Sequence, residues 1–148
     1  MFKVNRIILS LVILFSLLQG GCTKNKRNDI LGSWKLLTLL QEPDNAPYIR
    51  FTFRDDMVIQ GVAIVNQEPQ PPIVEGVYSI KFKHARYELK IERDSRFEIN
   101  QGPDYRGTYV IDELSRDVLR LIRIEGYNDR GEWSTGGDAF MMLDFLRE

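Results

Sequence analysis

Few residues in this chain have side chains suited to chemistry, and their neighbours decide what each can do. Cys22 is the single thiol of the 148 residues, so no internal disulfide can form. His84 is the single histidine, and it stands in Lys83-His84-Ala85-Arg86, a tight-turn signal crowded with positive charge. That is a poor setting for a general base and an ordinary one for an exposed turn residue. The acidic pairs Asp55-Asp56 and Asp112-Glu113 also fall at turn signals and read as solvated carboxylates. Asp129 and Asp138 could join backbone oxygens around calcium, but the spacing of a calcium-binding loop is missing. Gly131 and Gly136-Gly137 follow no strand-to-helix pattern of a phosphate loop and read as a flexible loop. The expectation is a protein that is not an enzyme and holds no metal or cofactor.

One pair is suited to a ligand instead. Arg123 shares a strand phase with Leu119 and Leu121, and Tyr105 enters the neighbouring strand on the same side. An arginine and a tyrosine above an aliphatic floor would grip the carboxylate or hydroxyl head of an amphiphile. The plainer reading is a rim arginine snorkelling to water over an apolar wall. Trp133 lies in the last long loop, where an indole serves contacts or packs on the rim.

The elements that must position these residues are strands. Ile49, Phe51 and Phe53 alternate with Arg50, Thr52 and Arg54; Tyr87, Leu89 and Ile91 alternate with Glu88, Lys90 and Glu92. Gly76, Tyr78, Ile80 and Phe82 continue the pattern, as do Gly107, Tyr109 and Ile111. Period-two alternation with one dry face predicts antiparallel sheet. The runs are 33–41, 48–54, 57–65, 74–82, 86–92, 105–112, 117–125 and 139–147, with 95–100 as an extension of the fifth or a ninth. The six prolines fall between these runs, where a missing N–H does no harm. Eight short strands close most simply into an up-and-down antiparallel β-barrel, an all-β fold; a two-sheet sandwich is the rival. Loops 42–47, 66–73, 93–104 and 126–138 are long and share one end, while the turns near 55–56, 83–85 and 113–116 are tight. This predicts a cup with its recognition loops at the mouth.

The first residues read as an address. Met1 to Arg6 is short and positive, and Ile7 to Leu18 is an apolar run of about 18 Å as a helix, too short to span a bilayer. Gly20-Gly21-Cys22 then resembles a bacterial lipoprotein cleavage site, although Gln19 stands where an aliphatic residue is usual. This resemblance implies a signal peptide over 1–21, acylation of Cys22 and a membrane held through the acyl anchor. The other reading is a secreted chain with a free thiol. Thr23 after the Cys, with no Asp, implies the outer membrane of a Gram-negative cell envelope. Lys24 to Asn28 suits a flexible tether, so 22–28 is the anchor and tether and 29–148 the barrel domain. The chain has 20 basic and 21 acidic residues, with Lys3 and Arg6 in the leader, so charge gives no reason to expect nucleic acid.

The stretch Asn28-Asp29-Ile30-Leu31-Gly32-Ser33-Trp34 then resembles the opening of small lipocalin-like domains of bacterial lipoproteins. In that family a Gly-x-Trp element starts the first strand and the Trp packs across the barrel floor, matching Gly32 and Trp34. An Arg at the end of the last strand often lies over the indole, and Arg147 holds that place. The resemblance covers residues 29–148 and implies binding of a small apolar or amphipathic ligand. The alternative is a side-chain-filled barrel whose rim binds an envelope protein partner.

Overall fold

The computed structural model describes residues 25–37, 46–93, 104–128 and 130–148. Residues 25–30 form a short helix, and nine strands follow: β1 Gly32–Leu36, β2 Tyr48–Phe53, β3 Val58–Val65, β4 Glu68–Lys83, β5 Arg86–Glu92, β6 Gly107–Leu114, β7 Val118–Tyr127, β8 Trp133–Thr135 and β9 Met141–Arg147. Strands β1 to β7 pair in sequence order, all antiparallel, and β9 then joins β7 to β1. The sheet therefore closes into an eight-stranded antiparallel barrel, and the sandwich rival falls away. All the ladders lie within residues 32–147. A chain beginning at Thr23 contains the complete ring.

The ninth strand among the described residues is β8, Trp133–Thr135. β8 pairs with Glu125–Tyr127 of β7, while β9 pairs with Val118–Arg123 of the same strand. The last stave of the barrel is thus broken in two, with a 3-10 turn at Gly136–Ala139 between the halves. This corrects the flexible loop expected over 126–138. Residues 95–100, 38–41 and Asp129, most of loops 42–47 and 93–104, and residues 1–24 with Cys22 lie outside the described residues.

A second correction concerns 66–73. No long rim loop exists there: β4 begins at Glu68, and Asn66 and Gln67 alone form the turn, with φ of 52° and 68°. Two consecutive left-handed residues match the right-handed twist of a tight hairpin. Pro69, Pro71 and Pro72 therefore sit inside a strand, contrary to the expectation that every proline lies between runs. They are tolerated because β4 meets β5 only from Val77↔Glu92 onward, among the described residues, and because the β3 ladder shifts register at Val62. A third correction concerns the tether: residues 25–28 belong to the helix. Lys26 Nζ lies 6.0 Å from the Tyr87 ring, and Arg27 donates to the Asp55 carbonyl.

The inward phase of each strand supplies one continuous core. Trp34, Phe51, Phe53, Ile59, Tyr78, Leu89, Tyr109, Leu119, Leu121 and Phe145 are all but fully buried in it. Around the ring β2 and the start of β6 stand on opposite walls. Even so, Phe51 and Tyr105 meet edge to face at 5.1 Å, and Phe51 meets Phe145 at 5.4 Å. Aromatic rings span the lumen at this level.

Candidate functional site

Two ends of the barrel hold the residues singled out by sequence. At the floor, Trp34 is fully buried and donates from Nε1 to the Ile30 carbonyl at 2.8 Å, which ties the helix to the first strand. Arg147 is the register partner of Trp34, and its guanidinium carbon lies 4.3 Å from the indole ring. It donates from Nη1 to the Leu31 carbonyl at 3.0 Å and from Nη2 to the Asp29 carbonyl. Gly32 has φ of 119°, and a Cβ there would stand 3.3 Å from Arg147 Nη1. Glycine both permits that backbone and leaves room for the cation. The structure thus brings Gly32, Trp34 and Arg147 together as a stopper. Just outside it lies an open hollow of about 520 Å³ lined by Asn28, Asp29, Leu114, Ser115, Arg116 and Arg147.

At the mouth, Arg123 is 4% exposed, so it is not a snorkelling rim residue. Its Nε donates to the Ala139 carbonyl at 2.7 Å, Nη1 to the Asp104 carbonyl at 2.7 Å and Nη2 to the Tyr127 carbonyl at 3.0 Å. One guanidinium therefore gathers three segments: the 3-10 turn, the lead-in to β6 and the end of β7. Gly107 and Gly126 make the space, since a Cβ on either would approach Arg123 Cδ to 3.0 Å or 2.7 Å. The head-group site expected at Tyr105 and Arg123 takes another form, because the cation already serves backbone oxygens and so latches the mouth. Tyr109 Oη donates to the Tyr105 carbonyl at 2.8 Å, fixing the same lead-in. Burial pushes the Tyr109 hydroxyl well above its ordinary pKa, and the nearby Arg123 charge offsets only part of this. Burial likewise raises Tyr105.

Above this latch stands an exposed aromatic stack that the sequence reading caught only at Trp133. Trp133 is 49% exposed and packs edge to face on Tyr127 at 5.2 Å. The Arg106 guanidinium lies 4.2 Å from the Tyr127 ring and is held by Asp104, whose carboxylate takes Arg106 Nε at 2.9 Å. Burial tends to raise the Asp104 carboxyl, but the hydrogen bonds and charge of Arg106 outweigh it and hold the group below its ordinary value. A signal was present in the sequence: Arg106 stands at the start of the alternating run 105–112, and Tyr127 and Trp133 flank a turn.

The remaining candidates lie apart. His84 is an exposed turn residue with φ of 51°. Asp56 pairs with Arg54 at 2.7 Å and accepts from the Val58 N–H at 3.3 Å. Asp112 and Glu113 face Arg120 at 4.0 and 3.9 Å. Among the described residues, no three His, Cys, Asp or Glu side chains converge on a metal position. The fold and its two ends define a closed antiparallel β-barrel protein with an indole-stopped floor and an arginine-latched mouth. No protein-family model matches the chain, and no match is found among curated proteins or solved structures.

Proposed function

We propose that this chain is a lipid-anchored cell-envelope protein whose lipocalin-like barrel binds a partner protein at its rim, without catalysis. The contact between Phe51 and Tyr105 carries this reading. Where opposite walls touch at 5.1 Å, no drug-sized molecule fits between them, whereas ligand pockets run to ~300 Å³ or more. The exposed Trp133, Tyr127 and Arg106 stack supports the rim as the contact surface, since Trp, Tyr and Arg dominate the energetic centres of interfaces. The anchor rests on the leader over 1–21 and on Cys22, and the outer-membrane address on Thr23.

A photo-reactive residue in place of Trp133, introduced in the native cell, tests the rim. One protein species should cross-link there and disappear with Tyr127→Ala. A small molecule co-purifying in stoichiometric amount with residues 23–148, with no cross-link at position 133, would replace this reading by the ligand-binding one. That second reading has one observation in its favour: Tyr105, 6% exposed, and Arg123, 4% exposed, are both buried at the mouth end of the barrel. The anchor is tested by labelling cells with palmitate, which should mark the chain and fail to mark Cys22→Ser.

A further inference from the structure

We infer that the floor end of the barrel rests on an anionic bilayer surface, with the tip of the β4–β5 hairpin as the contact. The inference rests on the lipid-anchor reading for what brings the surface close, but the contact itself is built from described residues. Lys81, Phe82, Lys83, His84, Ala85 and Arg86 are all exposed, and β4 and β5 stay paired down to Lys83↔Arg86. The hairpin therefore projects below the last inward core residue of β4, Ile80. Phe82 continues the inward phase of Tyr78 and Ile80, yet it is 50% exposed because the floor lies above it. Its ring meets Tyr87 at 5.0 Å, and Lys26 Nζ of the helix lies 6.0 Å from the same Tyr87 ring.

The charge of this tip has one sign. Arg86 pairs with Glu88 at 3.1 Å, and Glu88 is also the residue opposite Lys81 in the ladder. Lys90 pairs with Glu92 nearer the mouth, and Asp56 of the next turn pairs with Arg54. Among the described residues no ion pair engages Lys81, Lys83 or Lys26, although Glu88 stands across the ladder from Lys81. An exposed phenyl with a lysine before and after it in the strand is suited to an interface where the ring enters the headgroup layer and the ammonium groups meet phosphates. The chain geometry agrees. The helix begins three residues after Cys22, a reach of about 10 Å, and it lies on the same end as the hairpin. An acylated Cys22 would hold this end, and not the Trp133 rim, against the membrane. The rim would then point away, free to meet a partner.

Flotation of residues 23–148, which carry the whole ring and no acyl group, tests the surface. With vesicles of phosphatidylcholine and phosphatidylglycerol the protein should float, and raised salt should release it. With phosphatidylcholine alone it should stay down. The double variant Lys81→Glu/Lys83→Glu should lower partitioning by about thirty-fold or more, at roughly fivefold per cation removed. Arg93→Glu/Arg130→Glu has the same net charge, with Arg130 in the turn at the mouth, and should float like the parent. Equal loss in both variants, or flotation indifferent to phosphatidylglycerol, overturns the inference; thermal melts of both variants show that the barrel is intact. The anchor fails separately. A chain that floats but takes no palmitate keeps the surface and loses the anchor, and a labelled chain that does not float loses the surface.

Discussion

Arg147 and Trp34 are bound to each other twice over: their backbones are partners in the β1–β9 ladder, and the guanidinium of one covers the indole of the other at 4.3 Å. The same cation takes the carbonyls of Asp29 and Leu31, so helix, first strand and last strand share one fastening. Arg147→Ala should destabilise the barrel by about 2–3 kcal/mol, from the lost cation–π contact and two charge-assisted bonds. Arg147→Lys should recover less than half, because an ammonium cannot keep the planar stack and the fork together. Urea unfolding followed by fluorescence in a Trp133→Phe background reads Trp34 alone. A lysine variant as stable as the parent would show that charge by itself suffices.

Arg123 is the corresponding fastening at the mouth. Its replacement by Met keeps much of the apolar stem but strips three carbonyls of their donor, and should cost about 3 kcal/mol or more. Amide exchange should rise first around Ala139 and Tyr127, where the bonds are lost. Uniform exchange across the barrel would mean that the latch is not local.

The glycines give a graded series. A Cβ at Gly107, where φ is +153°, would stand 2.2 Å from the Glu125 carbonyl oxygen, a backbone atom that cannot step aside. Gly107→Ala should therefore cost more than about 2 kcal/mol or prevent folding. Gly131 has φ of +74° but open space around it, so alanine there should cost only about 1 kcal/mol. Gly137 has neither obstacle, and its alanine variant should melt with the parent.

Buried tyrosines set an alkaline limit. In Tyr109 and Tyr105 the folded protein holds the phenol protonated beyond its ordinary pKa of 10.0, chiefly by burial. The folded state then binds more protons than the unfolded one above that pH, so stability is complete below it and is lost as pH rises further. Melting temperature should fall steeply above pH 10.0, while the part of the tyrosinate absorbance that Tyr109→Phe removes appears together with unfolding and not before it. Tyr109→Phe should flatten the fall. Its melting point at neutral pH should drop as well, through loss of the bond to the Tyr105 carbonyl.

What the sequence made legible follows from period and size. Strands β2 and β5 alternate cleanly, and they and β9 lie within two residues of their expected bounds at either end. Trp34 was legible because a large indole beside Gly32 at the head of an apolar run has few places to go. The prolines hid the start of β4, since Pro69, Pro71 and Pro72 read as breakers until the unpaired side of that strand is known. Asn66-Gln67 lacks the glycine that usually marks so tight a turn. Arg123 was placed on the correct inward phase, but its partners are carbonyls contributed by distant segments, and no pattern of side chains announces those. Gly107 and Gly126 could have, because glycine inside a strand marks a close approach. The helix over 25–30 was missed because six polar-rich residues carry no helical signal of their own; Trp34 and Arg147 hold it in place.

Among the described residues the pairing of β1 with β9 runs through three residue pairs, Trp34↔Arg147, Lys35↔Leu146 and Leu36↔Phe145, and joins segments more than a hundred positions apart. Every other seam joins staves separated along the chain by no more than a loop or the short β8 segment, but this one must wait for the rest of the ribbon to curl. Until it does, two raw strand edges stand open to any passing chain. The stopper at the base is therefore also what keeps a half-wound molecule from joining its neighbours.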